Sequence, residues 1–420
     1  MRRGDIIPTT ARSHPVHRIL LVVAIACILA ATLTPAGAEL QPEFSRCLVC
    51  GARGYSDAIV NLILFAPLGA TLALNGRSGP RPVLAAGLLS CCVELAQIVI
   101  PGRDPSLGDV CFNTLGAAAG QALFFLGARW IMPTARAAAR LSALAGVVAA
   151  GVFALTGYLL APSFPRLPYF AWWTADRPEL AWVHGRVLQA ALGSLSLHPT
   201  HRPLPPEVRS LLIAGTPLRV EAIAGPRMPN LGPLVSIEDR WRRDIVLVGP
   251  DRTDLVLRYR ARSADLRLDA PDIRLRGALR EVQRNDTLHI TARPAADGYC
   301  LSLNHVEACH LWFTVGTGWA LLLYPKHFPL WAQQLLDAGW VAGLLVPLGV
   351  WMRRRGESLL AVGLVLWGLS ALPGQVGLSP TPWREWVGAA CGVCIGIAVG
   401  VTARRQARRA RGPSAPLPTG

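Results

Sequence analysis

The chain has almost no lysine and few charged residues of any kind. Lys326 is its one lysine, so the formal net charge of +16 comes almost wholly from arginine. Charged residues make up 16% of the 420 positions, hydrophobic residues make up 52%, and the mean hydropathy is +0.36. Because this composition is too apolar for one soluble domain, it predicts a polytopic membrane protein that carries one soluble insert.

Signatures of catalysis and of nucleotide binding are also missing. The sequence contains no glycine-rich phosphate loop, no nucleophile elbow and no zinc-binding helix motif. Its arginines cluster beside apolar runs, so the positive-inside rule explains them better than nucleic-acid binding does. The sequence therefore predicts no cofactor, no bound metal and no nucleic-acid partner. The lipid bilayer is the predicted partner.

Apolar runs of about 20 residues, long enough to cross a bilayer, predict about eight spanning helices. They lie at 18–35, 57–74, 83–100, 109–126, 141–160, 330–352, 358–376 and 383–401. Arginines at alternate ends of these runs predict a cell-membrane protein with both termini in the cytoplasm. The predicted divisions are basic tails at 1–16 and 404–420, and membrane segments at 17–160 and 326–403. The first run is also compatible with a signal peptide, because Ala36-Gly37-Ala38 resembles a cleavage site.

Residues 161–325 differ from the rest of the chain and are predicted to form an extracytoplasmic β-sandwich inserted between the membrane segments. Apolar runs shorten here, and short stretches of alternating polarity are separated by turn residues. The strands are predicted at 244–249, 255–260, 274–279, 287–293 and 299–304. Residues 311–323 are too short to span a membrane and are interpreted as a last strand or an interfacial stretch. Residues 234–262 resemble jelly rolls of the concanavalin A-like and laminin G types, a class that often binds sugars.

Two cysteine pairs lie outside the apolar runs. Cys300 and Cys309 flank a predicted hairpin, and a cross-strand disulfide is the preferred interpretation. Cys47 and Cys50 lie in the predicted external loop, where a disulfide or a redox-sensitive pair is favoured over zinc, because no second ligand pair is near. The remaining cysteines lie in apolar runs and are interpreted as small hydrophobic residues.

Polar side chains interrupt the apolar runs between residues 57 and 120. The candidate ligand-binding residues are Asp57, Asn61, Glu94, Gln97, Arg103, Asp109 and Asn113. Polar groups inside a membrane are costly and usually functional. Asp57 and Asn61 repeat as Asp109 and Asn113, so two parallel helices are predicted to present matched pairs at the outer edge of the bilayer.

The segments NLILFAPLG, ELAQ and PGRDPSLGDVCFNTLG resemble the signature of VanZ-like membrane proteins, a family named for an accessory glycopeptide resistance protein. The resemblance covers roughly residues 20–126. It implies a bacterial envelope membrane protein and a link to glycopeptide antibiotic susceptibility.

Several interpretations of the polar residues stay open at this point. Asp57 and Asp109 could be N-terminal helix caps, and Asn61, Gln97 and Asn113 could be hydrogen-bonding residues between helices. Glu94 could be neutral, paired with Arg103, or part of a site.

The leading functional hypothesis is binding of a lipid-linked or glycan envelope ligand at the outer leaflet, without catalysis. The first alternative is an intramembrane enzyme that acts on a lipid head group. It would use Glu94 or Asp109 as acid or base, and Arg103 to hold phosphate. The second is a proton-coupled transporter, against which the one-sided position of the polar residues argues.

Overall fold

The structure is a computed structural model. It describes residues 15–35, 45–49, 51–103, 105–166, 168–177, 180–200, 202–324, 328–352 and 355–411. The α-helices in these ranges are α1 (Pro15–Leu33), α2 (Gly54–Leu74), α3 (Pro80–Gln97), α4 (Leu107–Ile131), α5 (Ala135–Leu160), α6 (Val208–Ile213), α7 (Leu330–Trp351), α8 (Arg355–Ser370), α9 (Leu372–Gln375) and α10 (Trp383–Arg411).

Six of the described helices are long and apolar enough to cross a membrane. They are α1, α2, α4, α5, α7 and α10. The prediction of eight is therefore confirmed for six. Helices form at the other two predicted positions, but α3 carries buried Ser90, Glu94 and Gln97, and α8 has only 16 residues. Because these two helices are more polar or shorter, they do not meet the requirement for length and apolarity.

The residues between α5 and α7 form strands β1 (Phe170–Trp173), β2 (Arg186–Leu192), β3 (Leu195–Ser196), β4 (Arg202–Pro203), β5 (Leu218–Ile223), β6 (Val235–Glu238), β7 (Asp244–Asp251), β8 (Asp254–Tyr259), β9 (Ile273–Leu275), β10 (Thr287–Ala295), β11 (Gly298–Leu303) and β12 (Val306–Leu311). They build two antiparallel sheets, ordered β4-β1-β6-β7-β8-β9 and β12-β11-β10-β5-β2-β3. Apolar side chains of both sheets, such as Ile237 and Leu301, belong to one buried core. We call these strands, their connections and the described residues that follow β12 as far as Tyr324 the sheet domain.

Four predicted strands coincide with β7, β8, β10 and β11, and the disulfide Cys300–Cys309 is present. The strand predicted at 274–279 is wrong beyond Leu275, because Gly277 has a φ of +70° and the chain turns there. A single last strand over 311–323 is also wrong. β12 ends at Leu311, and Val315–Leu321 form a 3-10 helix that opens with a capping box at Thr314. The Cys47–Cys50 pairing stays a prediction, because Cys50 lies outside the described residues, and so does the jelly-roll resemblance.

A row of buried ion pairs crosses the first sheet. The Arg177 guanidinium contacts the carboxylates of Glu238 and of Asp244, the latter at 2.6 Å. The Arg258 Nε lies 2.8 Å from Asp272 Oδ1. Burial lowers the pKa of Arg258, but the carboxylates of Asp272 and Asp244 outweigh this effect and hold that pKa above its ordinary value. The ion pairs let arginines lie in a buried sheet without unpaired charge.

The sheet domain contacts the start of α2 directly. The Ser56 hydroxyl donates to the Leu321 carbonyl at 2.8 Å and accepts the Asp269 backbone N–H at 2.7 Å. The Tyr259 hydroxyl donates to the carbonyl of Leu160, the last residue of α5, at 2.7 Å. These bonds hold the sheet domain against one end of the helix bundle.

Candidate functional site

Helices α2 and α4 pack backbone against backbone. A Cβ atom at Gly116 would lie 2.3 Å from the Leu62 carbonyl oxygen, and one at Gly120 would lie 1.8 Å from the Ala66 carbonyl oxygen. These contacts advance in the same direction along both helices, so the predicted parallel arrangement is confirmed. Small residues permit such close packing in membranes, where van der Waals contact drives helix association.

The close packing brings Asn61 of α2 to Asp109 of α4. The Asn61 Nδ2 donates to Asp109 Oδ1 at 2.5 Å. Asp57 lies one turn before Asn61, so the two side chains share the face of α2 that packs on the start of α4. Two carboxyl groups and one amide therefore meet at the end of the bundle that the sheet domain contacts.

Neither aspartate is a helix cap, so that interpretation is wrong. Both helices begin two or three residues earlier than the apolar runs indicated, α2 at Gly54 and α4 at Leu107. Ser106 caps α4, because its hydroxyl accepts the Asp109 backbone N–H at 3.0 Å. The aspartates lie in the first turns, where the helix dipole favours negative charge.

Glu94 joins this group through Ser106. The Glu94 Oε2 accepts the backbone N–H of Ser106 at 2.9 Å, and the side chain of Glu94 is 3% exposed. Ser45 lies beside the same turn, because it bonds with the backbone of Pro105 and Leu107 at 3.0 and 2.9 Å. The α3–α4 link thus connects Glu94 to the start of α4.

Two of the predicted residues, Arg103 and Gln97, bond with the end of α1. The Arg103 side chain donates to the carbonyls of Thr34 and Ala31 at the end of α1, at 2.9 and 2.6 Å. The Gln97 amide donates to the Thr32 carbonyl at 3.0 Å. Burial lowers the pKa of Arg103, and the negative charge of Glu94 opposes that shift. Arg103 and Gln97 therefore satisfy the C-terminal carbonyls of α1.

Asn113 also bonds between helices. Its Nδ2 donates to the Ser90 hydroxyl of α3 at 2.8 Å, and the whole side chain is 1% exposed. The interpretation of Asn61, Gln97 and Asn113 as hydrogen-bonding residues between helices agrees with these contacts. The residues that converge are Asp57, Asn61, Asp109 and Glu94, and we call them the carboxyl cluster.

Sequence reasoning missed Ser106, which links two members of the carboxyl cluster. Its signal was present: Ser106-Leu-Gly-Asp109 fits the pattern [ST]-x-x-[DE] that precedes many helices. That pattern would have moved the start of α4 to Leu107.

The N-terminal part of the chain matches a known protein family. The family model described as VanZ/LLP1 matches residues 12–128. The N-terminal part of the chain is VanZ-like. This matched part includes α1, α2 and α3, most of α4, and the whole carboxyl cluster. The match and the six apolar helices that are long enough to cross a membrane together indicate a multi-pass membrane protein with VanZ-like helices. No curated protein and no solved structure matches the chain.

Proposed function

We propose that the VanZ-like helices bind the polar head of a lipid-linked or glycan ligand of the cell envelope, without catalysing a reaction. The carboxyl cluster carries this proposal. Asp57 and Asp109 belong to the facing sides of α2 and α4, which Asn61 joins through its bond to Asp109, although both helices are apolar. Intramembrane carboxyl groups are costly and are usually retained for a function. Hydroxyl or ammonium groups of a ligand would donate hydrogen bonds to them and relieve their mutual repulsion.

In this proposal the carboxyl cluster lies at the outer leaflet of the cytoplasmic membrane. Both termini are cytoplasmic, and the sheet domain is extracytoplasmic. The support is the arginine pattern of the sequence together with the contact between the sheet domain and the start of α2. A ligand at this position would belong to the envelope, and glycopeptide susceptibility would be the phenotype to examine.

Protease protection tests the orientation. Protease added outside intact spheroplasts is expected to digest the sheet domain and to leave a tag after the C-terminal residue intact. Permeabilised spheroplasts, in which both sides are accessible, are the control. Digestion of the tag in intact spheroplasts would reverse the proposed orientation.

Replacement of one carboxyl group tests whether the carboxyl cluster binds the ligand. Asp109→Asn keeps the shape of the side chain but removes its charge, and a hydrogen bond to a charged group contributes about 1.5–3 kcal/mol. We therefore expect at least about tenfold weaker binding of a polyprenyl-phosphate-linked hexose in phosphatidylcholine nanodiscs. Glu207→Gln, at an exposed position of the sheet domain, is the matched control and should bind like the wild type. Equal affinity of Asp109→Asn and the wild type would contradict the proposal.

A further inference from the structure

The helices after the sheet domain repeat the close packing of the VanZ-like helices. A Cβ atom at Gly392 of α10 would lie 2.2 Å from the Ala342 carbonyl oxygen of α7. One at Gly396 would lie 2.2 Å from the Val346 carbonyl oxygen. These contacts again advance in the same direction, so α7 and α10 are parallel, like α2 and α4.

The contacts align the two helix pairs residue by residue. Ala342 and Val346 of α7 occupy the places of Leu62 and Ala66 of α2, an offset of 280 (342 minus 62, 346 minus 66). At this offset DAIVNLILFAPLG, which begins at Asp57, aligns with DAGWVAGLLVPLG, which begins at Asp337. Six of these 13 residues are identical, including the Pro-Leu-Gly that ends each segment. The chance of such agreement in unrelated helices is small, because the alignment was fixed by the contacts.

Helices α4 and α10 align in the same way. Gly392 and Gly396 occupy the places of Gly116 and Gly120, an offset of 276 (392 minus 116, 396 minus 120). At this offset Asp109 of α4 corresponds to Glu385 of α10. Both carboxyl groups belong to the first turn of their helix.

The other helices have equivalent places. Near its start α1 contacts the end of α2, where the Asn75 side chain donates to the His17 carbonyl at 2.9 Å. Near its start α5 contacts the end of α7, where the Ser142 hydroxyl lies 3.4 Å from the Leu348 carbonyl. Helix α8 packs on α5, as α3 packs on α1, but α3 also packs on α4, and the described part of α8 does not pack on α10 in that way. The sheet domain therefore lies between the first and second helices of a second, VanZ-like set: α5, α7, α8 and α10.

The equivalent carboxyl groups bond with the segment that follows β12. Asp337 Oδ1 accepts the Trp319 indole N–H at 2.7 Å. Glu385 is 1% exposed and accepts the Thr314 hydroxyl and, at 3.1 Å, the Gly316 backbone N–H. Both side chains flank Gly316, where a Cβ atom would lie 2.6 Å from Glu385 Cδ and 2.9 Å from Asp337 Cβ. The second set therefore has a carboxyl pair at the same end of the bundle as the first.

A cavity of about 250 Å³ reaches this second pair at Asp337. Its wall combines aromatic, apolar and polar groups: Trp319, Tyr324, Leu330, Gln333, Arg276 and Asp337. The Arg276 guanidinium, which donates to Gln333 Oε1 at 2.6 Å, belongs to the same cavity wall as the Asp337 carboxyl. A cavity with a few convergent polar groups and aromatic walls is the usual form of a small-ligand site.

We propose that this cavity is a second head-group site, for a phosphate-bearing, hydroxylated lipid head. The proposal rests on the proposed function, because it assigns the same class of ligand to the second helix set. Hydroxyl groups of the head donate to Asp337, and its phosphate accepts from Arg276. The ring of a sugar packs on Trp319. Leu330, at the start of α7, contacts the first carbons of the lipid chain.

Counting bound ligands tests the proposal separately from the function on which it rests. The full chain in phosphatidylcholine nanodiscs is saturated with the polyprenyl-phosphate-linked hexose, and the bound molecules per chain are counted by native mass spectrometry. We expect two for the wild type, one for Arg276→Gln, one for Asp109→Asn and none for the double variant. Arg276 is exposed, so its substitution leaves the fold intact, and Arg219→Gln, at another exposed arginine, should still bind two.

Other counts overturn one proposal or both. One molecule on the wild type, with no change in Arg276→Gln, would contradict the second site and leave the first. No molecule on any variant would contradict the proposed function as well. In a parallel arm, inorganic phosphate alone should leave the Arg276 site empty. Displacement of the lipid by inorganic phosphate would show a free-phosphate site and overturn the assignment to a lipid head.

Discussion

Gly120→Leu is expected to prevent the VanZ-like helices from assembling. Even a single Cβ atom at this position would lie 1.8 Å from the Ala66 carbonyl oxygen, which belongs to the backbone of α2 and cannot rotate away. Overpacking in a dense interior costs about 1–3 kcal/mol when side chains can adjust, and a clash with backbone costs more. The two helices must separate, and Asn61 then loses its bond to Asp109. Size-exclusion chromatography and thermal unfolding in detergent should show aggregated or unfolded protein.

Gly127→Leu is the matched control for this prediction. Gly127 belongs to the same helix, but a Cβ atom there would contact only the Ile131 side chain, at 3.9 Å. The control should be monodisperse, with a melting temperature close to that of the wild type. Similar behaviour of Gly120→Leu and Gly127→Leu would contradict the close packing of α2 and α4.

Arg274→Leu is expected to destabilise the sheet domain by about 3–5 kcal/mol, the usual cost of removing one partner from a buried ion pair. The Arg274 guanidinium lies 2.7 Å from Asp251 Oδ2 and 3.6 Å from Asp272 Oδ2, and both aspartates are buried. Leucine would leave their charges without this cation. Denaturant unfolding of the full chain, followed by tryptophan fluorescence, measures the change.

An exposed ion pair in the second sheet is the control for Arg274→Leu. Arg293 of β10 lies 3.0 Å from Glu307 of β12, and both side chains are about half exposed. Exposed pairs contribute about 0–1 kcal/mol, so Arg293→Leu should change stability little. Equal losses in the two variants would contradict the account of the buried row of ion pairs.

The sequence was sufficient for the features that depend on periodicity and length. Apolar runs located the membrane-spanning helices that the structure describes, and short stretches bounded by turn residues located β7, β8, β10 and β11. It was insufficient for the two-residue strands β3 and β4, which are too short to show a pattern. β7 is buried along nearly its whole length, so its residues do not alternate between polar and apolar.

The candidate site was predicted only in part, because pairing depends on the register of helices. The sequence showed that Asp57, Asn61, Glu94 and Asp109 share the VanZ-like segment. It could not show that Arg103 would turn to the end of α1, away from the carboxyl cluster. The second helix set also escaped notice, because few of its residues outside the Pro-Leu-Gly segment and the spaced glycines match the first set. Helix contacts were needed to align the two.

The most direct measurement of the central claim is the identity of what the carboxyl cluster holds in the cell. Protein purified gently from its membrane would be compared by native mass spectrometry with the double variant Asp57→Asn, Asp109→Asn. The account predicts a discrete polar-headed lipid or glycan mass on the wild type, which the double variant loses while it keeps its ordinary bilayer lipids. The same bound mass on both proteins, or no discrete mass on either, would contradict it.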